Sequence, residues 1–397
     1  MTPATPRCGC GTSTHPDLGT ALREAAAAAR AALDAAAEPP DVGIVFVAGA
    51  YGAAIRPALE SLSDLVPATT VIGTTAEGVL GNGVELERIP AVTVWLARLP
   101  GAWIRPVSLD YRQTPDGGMF AGWRDDLAAD LPANATLLLL ADPFSFPVDA
   151  FIARMAEEHP GMPIVGGMAS GAAEPGGNTL VIGSRTEDSG AVGLVVGGSV
   201  RIRPVVSQGC RPIGAPLVIT RAEANVIHDL GGRPALERLR EIYGTLDPAD
   251  RELVRSSLHV GRVASEYQAA FRAGDFLVRN VVGADPESGV IAIGDLVRTG
   301  QTVQFHVRDP ASAHDDLERL LHAAQAAGSL PAGALVFTCN GRGTRLFPTP
   351  DHDARCVQDV LGPLPAAGFF AQGEIGPIGR LNCLHGFTAS VALFELA

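Results

Sequence analysis

The stretch ALVFTCNGRG (Ala334–Gly343) runs an apolar segment into a Gly-rich loop, and GFFAQG (Gly368–Gly373) follows it. The same pairing occurs twice earlier. GIVFVAGAYGA (Gly43–Ala53) precedes GTTAEG (Gly73–Gly78), and TLLLLADPFSF (Thr136–Phe146) precedes GGMASG (Gly166–Gly171). The spacing from Val45 to Gly73 equals that from Leu138 to Gly166, and the spacing from Val336 to Gly368 is slightly longer. Each GxxAxG motif then meets another apolar run: VTVWLA from Val92, VGLVVG from Val192 and SVALFEL from Ser390. A recurring pattern of this kind marks one supersecondary unit used repeatedly. Each copy reads as strand, loop, helix, short strand into a Gly-turn, then strand. The glycines do not follow the GxGxxG spacing that opens a dinucleotide-binding helix, so no such site is read here.

Between the second and third copies the pattern changes. RIRPVVSQGCRPIGAPLVIT from Arg201 reads as two strands around a Gly/Pro turn, and NVIHDLGGRPALERLREIY turns at Leu230–Gly232 into an amphipathic helix. From Phe276 a three-stranded meander follows, turning at Asp285–Gly289 and Arg298–Gly300, and a helix over Asp315–Ala327 leads into the third copy. The expectation is an α/β (mixed α+β) protein: layered mixed sheets with helices outside, two halves, and three related strand-helix-Gly-turn-strand units. The boundaries predicted are an N-terminal segment with an Ala-rich helix (1–40, the helix near Ala25–Ala37) and two domains over 41–200 and 201–397.

Composition narrows the chemistry. The chain has 397 residues, 47% hydrophobic and 18% charged, enough for a large core and unlike a disordered polymer. Thirty basic against 43 acidic residues leave a net charge of -13, which argues against nucleic acid as a partner. None of the 30 is lysine, so a pyridoxal Schiff base, a Walker A loop and a kinase strand lysine are all excluded. Six scattered cysteines suggest reduced thiols, and neither a signal peptide nor a span of about 18 apolar residues is present, so the expected setting is cytoplasmic, without membrane insertion. Cys8 and Cys10 with His15 are a weak zinc signal beside the simpler reading of a frayed N-terminus.

Four blocks, TCNGRGTRLF (Thr338–Phe347), PLPAAGFFAQGEIGPIG (Pro363–Gly379), VIHDLGGRPALERL (Val226–Leu239) and VRNVVGADPESGVIAIGD (Val278–Asp295), resemble the FIST family of intracellular signal transduction proteins. The resemblance spans an N-terminal half over about 41–198 and a C-terminal half over about 201–396. It implies a bacterial sensory domain that binds a small polar ligand, an amino acid or related metabolite. No kinase, cyclase, F-box or methyl-accepting segment accompanies it, so output is expected through a separate signalling protein such as a histidine kinase. Some relatives bind haem and sense nitric oxide.

The candidate ligand site is the end of the strand before Cys339, Asn340, Gly341, Arg342 and Gly343, where the glycines admit close backbone approach and Arg342 offers a fork to a carboxylate. The alternative for Arg342 is a structural pair with Glu374. Glu374, beside Gly373, and Glu77 lie at corresponding turns, and an acid facing an Arg can read the two charges of a zwitterion. Gly73, Gly166 and Gly167 complete the cleft expected from the Gly-turns, and Arg279 is added from the block that the resemblance highlights. No catalytic residue and no metal site is assigned. Three alternatives stand beside this: a non-covalent haem sensor with His259 or His306 as axial ligand, a thiol enzyme using Cys339 with His385, and a protein-binding adaptor.

Overall fold

A computed structural model describes residues 5–33, 39–115, 117–123, 130–268, 270–328 and 330–397. Its architecture is mixed α/β, with layered sheets and helices. Two compact units divide the chain: Met1–Val206 with Leu317–Leu384 and Thr388–Ala397, and Ser207–Asp316 with His385–Phe387. The units depart from the linear boundary expected near residue 200, because the third copy of the repeated pattern returns to complete sheets begun by the first two.

Three sheets build the first unit. In each, an apolar strand pairs in parallel with the strand that carries the next GxxAxG motif and antiparallel with the strand beyond. Val42–Ala48 lies between Thr70–Ala76 and Val92–Arg98. Thr136–Ala141 lies between Ile164–Met168 and Ala191–Gly198, and Gly333–Cys339 between Ala366–Ala371 and Thr388–Leu396. The central strands are buried along almost their whole length, which is why they read as continuous apolar runs rather than alternating ones.

After each motif the chain leaves its own sheet. Gly78–Gly81 pairs with Ala366–Ala371 in the third sheet, Leu180–Ile182 with Thr70–Ala76 in the first, and Glu374–Ile378 with Ile164–Met168 in the second. The exchange is cyclic. Phe46, Phe337 and Phe369 meet where the sheets face one another, with ring centroids 5.0 to 6.4 Å apart, among buried Leu138, Leu140 and Val165. Helices cover the other faces: Leu18–Ala32 on the first sheet, Val148–Glu158 on the second, and His352–Leu361 on the third.

The N-terminus differs from the expectation. Arg7–Ser13 is an edge strand paired with Val92–Arg98, not a frayed end. The helix starts at Leu18, where the Asp17 side chain accepts from the Thr20 N–H, and ends at Ala32; residues 34–37 of the expected helix lie outside the described residues. Gly9 and Gly11 explain the close contact, since a Cβ there would fall 2.1 Å from the Ala29 carbonyl oxygen and 2.2 Å from that of Ala25. Gly in the strand against Ala in the helix brings the two backbones together.

The second unit is a separate antiparallel sheet. Its strands run in the order Cys210–Glu223, Thr302–Arg308, Leu258–Val263, Phe276–Asp285, Val290–Ile293, Val226–Leu230 and the short Arg233–Pro234, and the first also pairs with Val226–Leu230, closing a barrel. Ile213, Val260, Ile291 and Phe305 fill it. Gly231 and Gly232, both at positive φ, turn the chain toward the helix Ala235–Thr245.

Candidate functional site

The first glycine of each motif has a packing role. A Cβ at Gly73 would lie 2.5 Å from the Val45 carbonyl oxygen, at Gly166 1.9 Å from that of Leu139, and at Gly368 1.8 Å from that of Val336. All three permit close approach to the neighbouring parallel strand. Gly167 is also a contact glycine, with Phe369 and Ala371 3.0 Å from its would-be Cβ.

The far ends of the motifs converge instead. The Glu77 N–H donates to the Ser170 hydroxyl at 2.9 Å, and that hydroxyl donates to the Phe370 carbonyl. Met168 N–H donates to the Gly373 carbonyl, and Gln372 N–H to that of Met168. A cleft of about 470 Å³ opens over this junction, lined by Glu77, Ser170 and Gln372, by Gly49 and Asn340 at two strand ends, and by Gly171 and Arg88. Glu77, Ser170 and Gln372 share the fifth position of GxxAxG, so three equivalent polar side chains face one space. At its floor, Gly49 lies so near the Gly171 carbonyl that a Cβ would come within 2.4 Å.

Arg88 was not expected from the sequence. It follows the strand Val84–Glu87, has φ +56° and is exposed, in a backbone region that a non-Gly residue seldom occupies. One nitrogen donates to the Thr344 hydroxyl at 3.1 Å. Arg345, also missed, clamps Glu77 through both carboxylate oxygens and donates to the Asn340 carbonyl at 2.8 Å. Asn340, with its amide turned to satisfy its neighbours, donates to the Phe370 carbonyl at 2.8 Å. The cleft therefore presents an acid and a guanidinium together.

Arg342 corrects the expectation. Its side chain is fully buried, and Nε and Nη2 bond the two Asp353 oxygens at 2.7 and 2.8 Å, with the guanidinium 5.2 Å above the Phe347 ring. A fork closed on a carboxylate inside the protein is not presented to a ligand, and its partner is Asp353 rather than Glu374. Asp353 also contacts Thr338 and His352, and Arg342 holds its carboxyl well below the usual range despite burial. Glu85 accepts the Asp353 and Ala354 N–H groups; burial, then the Asp353 charge, push it up to about 8. Gly343, at φ +56°, has Glu87 2.6 Å from its would-be Cβ, and the Gly341 N–H donates to the Cys339 sulfur at 3.4 Å.

Glu374 lies away from the cleft lining. It is fully buried, accepts from the Thr388 N–H and hydroxyl, and is pushed up to about 8 by that burial. Gly373 contributes its carbonyl to the junction. Arg279 belongs to the second unit, where it shares Asp295 with Arg262. His385 is likewise grouped with that unit.

The haem candidates lie opposite each other on adjacent barrel strands. His306 has its Nδ1 against the Gln304 carbonyl and is lowered to about 4 by burial; its ring packs on Phe276 at 5.1 Å and leaves Gly261 no room for a Cβ. His259 has its Nδ1 against the Ser257 carbonyl and Phe387 edge-on at 4.3 Å. As packed, neither fits an axial ligand with a porphyrin beside it. Cys8 and Cys10 are buried in their strand, and among the described residues no group of three or more His, Cys, Asp or Glu is placed to hold a metal. None of the described helices is long and apolar enough to cross a membrane.

Comparison with known proteins agrees with the sequence blocks. The family model described as FIST N domain matches residues 41–233, and the FIST C domain model matches 235–377. The uncharacterized protein Rv0628c of Mycobacterium tuberculosis is 44% identical over 391 residues, 98% of this chain and 99% of that one. The uncharacterized protein Mb0898c of Mycobacterium bovis is 43% identical over 392 residues, 98% of each chain.

Proposed function

The chain belongs to the FIST family, and from that premise we propose that it is a sensory protein that binds a small zwitterionic metabolite, an amino acid or close relative, in the cleft over the three Gly-turns. Membership in the family, shared with these bacterial relatives, supports a sensory role. The observation that carries the ligand class is the juxtaposition of Glu77 and Arg88 in one cleft with the neutral donors and acceptors of Ser170, Asn340 and Gln372. An ammonium would share the Glu77 carboxylate with Arg345, and a carboxylate would meet the exposed Arg88 guanidinium, while the neutral groups fix orientation. A volume of about 470 Å³ is in the range of small-molecule sites.

The reading is of a binding protein whose output passes to a separate signalling protein, a histidine kinase being one such partner. A ligand of this kind acts by its difference in affinity between two arrangements of the chain, and the loop from Asn340 to Phe347, tied to the cleft through Arg345 and Thr344, is the element placed to respond. The Ser170 hydroxyl is engaged on both sides, by the Glu77 N–H and the Phe370 carbonyl, which suits a positioning group better than a nucleophile.

The test is a thermal-shift screen against amino acids, their amides and their deaminated acids, followed by calorimetry. A ligand at 100 times its Kd adds about 2.7 kcal/mol to the native state and raises Tm visibly. The expected result is a saturable shift that needs both charges, lost with the amide or the deaminated acid. Arg88→Ala should weaken binding by about tenfold or more, the scale of one charged hydrogen bond. Silence across the panel, or binding that Arg88→Ala and Glu77→Gln leave unchanged, would overturn the assignment.

A further inference from the structure

The cleft over the Gly-turns has two unlike walls. Glu77, Arg88, Asn340 and Gln372 carry its charges and amide groups, and contacts with Arg345 and Thr344 tie the first three to one loop. Apart from Ser170, the rest of the lining has no side-chain atom beyond Cβ: Gly49 and Ala50 follow the strand Val42–Ala48, and Gly171, Ala172 and Ala173 run on from the second motif.

This bare wall is fixed by close packing and by buried bonds. Gly49 meets the Gly171 carbonyl with no room for a Cβ, and a Cβ on Gly171 would fall 2.6 Å from that of Thr75. The Ala172 N–H donates to the Asn178 side-chain oxygen at 3.0 Å, and the Asn178 amide donates to Asp142 at 2.9 Å. Asn178 and Asp142 are both enclosed, and Asp142 also accepts from the Ser145 hydroxyl and the Phe144 N–H. A wall held in this way keeps its shape without a ligand, and the Ala172 N–H is already taken from any polar group that might approach it.

Charge restricts the ligand further. Among the described residues that line the cleft, Glu77 and Arg88 are the only ionisable side chains, and they meet the ammonium and the carboxylate of a zwitterion. No partner is left for a third charge, whereas space beside apolar surface is left open. Resting on the zwitterion reading given above, the geometry points to an amino acid with an uncharged, apolar side chain, branched aliphatic or aromatic, seated against Ala50, Ala172 and Ala173. Glycine leaves that side of the cleft unfilled. Glutamate or lysine carries a charge to a wall that cannot answer it.

The test is calorimetric titration of the full chain with glycine, L-leucine, L-phenylalanine, L-glutamate and L-lysine. Leucine or phenylalanine should bind at least about tenfold more tightly than glycine, the scale set by burying a few methylene groups. The same margin, about tenfold or more, should separate it from glutamate and lysine. Ala173→Phe, at an exposed position, fills the bare side from within; it should weaken leucine about tenfold and leave glycine within about twofold. Should that variant fail to fold, Ala50→Phe, likewise exposed, makes the same comparison. Leucine and phenylalanine no tighter than glycine, a preference for a charged side chain, or equal weakening of glycine and leucine in the variant would overturn the side-chain assignment and leave the zwitterion reading standing. Binding by none of the five would remove that reading, and this inference with it.

Discussion

Two arginines near the cleft differ in setting, one enclosed and one exposed. Arg342 is enclosed and bidentate on Asp353, so Arg342→Ala should strand that carboxylate in the interior and cost about 3 to 5 kcal/mol of stability, measured by urea unfolding. Arg88→Ala removes an exposed side chain with one bond to Thr344 and should change stability by no more than about 0.5 kcal/mol in the same measurement. The sequence showed that CNGRG matters but not in which capacity, because the partner Asp353 lies on the following helix, across a loop whose path no local pattern records. The buried acids set a pH dependence. Glu85 and Glu374 are raised from 4.5 to about 8 in the folded state. Between these values the native chain holds protons that the unfolded chain releases, so the stability they contribute is complete below about pH 4.5 and is lost as the pH rises through about 8. Asp353 is shifted the other way, and its effect is lost in acid, below its ordinary value of 3.8. Tm should therefore fall from about pH 6 to about pH 9, and Glu85→Gln should flatten that slope. A Tm that holds steady over this range would contradict the raised values.

At the scale of elements, glycine placement explains why strands and helices approach as closely as they do. Gly368→Ala puts a methyl group within 1.8 Å of the Val336 carbonyl oxygen, and no side-chain motion relieves a clash with backbone. The variant should lose about 1 to 3 kcal/mol or more, whereas Gly183→Ala, with nothing within 4 Å and only a φ of +60° against it, should lose about 1 kcal/mol. Comparing the two Tm values checks the assignment. The apolar runs, the hairpin of Phe276–Asp285 with Val290–Ile293 and the turn at Gly231–Gly232 were readable, since each follows from a local period or a turn residue, whereas Thr302–Arg308, expected as the third strand of a meander, pairs instead with Cys210–Glu223 and Leu258–Val263. The helix expected at Ala25–Ala37 was displaced toward the N-terminus because alanine is helix-forming throughout and only the cap at Asp17 marks the start. Within the motif, the fifth position was the overlooked signal: Glu77, Ser170 and Gln372 are polar members of hexapeptides made mostly of small or apolar residues, and all three reach the cleft.

For the whole molecule, the cyclic strand exchange decides what can fold alone. Repetition was visible in the sequence, but the partner of each exchanged strand was not, because strand pairing is non-local and a short apolar segment carries no address. The consequence is that no copy of the pattern owns a complete sheet. The segment from Leu317 onward supplies the central strands of the third sheet, against which Gly78–Gly81 packs, and the strand Glu374–Ile378 that covers the edge of Ile164–Met168. A chain ending at Asp316 would leave both edges open, and with them Phe46 without Phe337 and Phe369. Such a chain should show no cooperative melting of the part up to Val206 and should expose apolar surface to a hydrophobic dye, whereas the full chain melts sharply. Supplying the segment 317–397 as a separate polypeptide should restore part of the transition, since the missing strands enter as one contiguous piece. A sharp, native-like transition in the shortened chain by itself would mean that the first two sheets hold together without the exchange, and the cleft would then owe its shape to local turns alone.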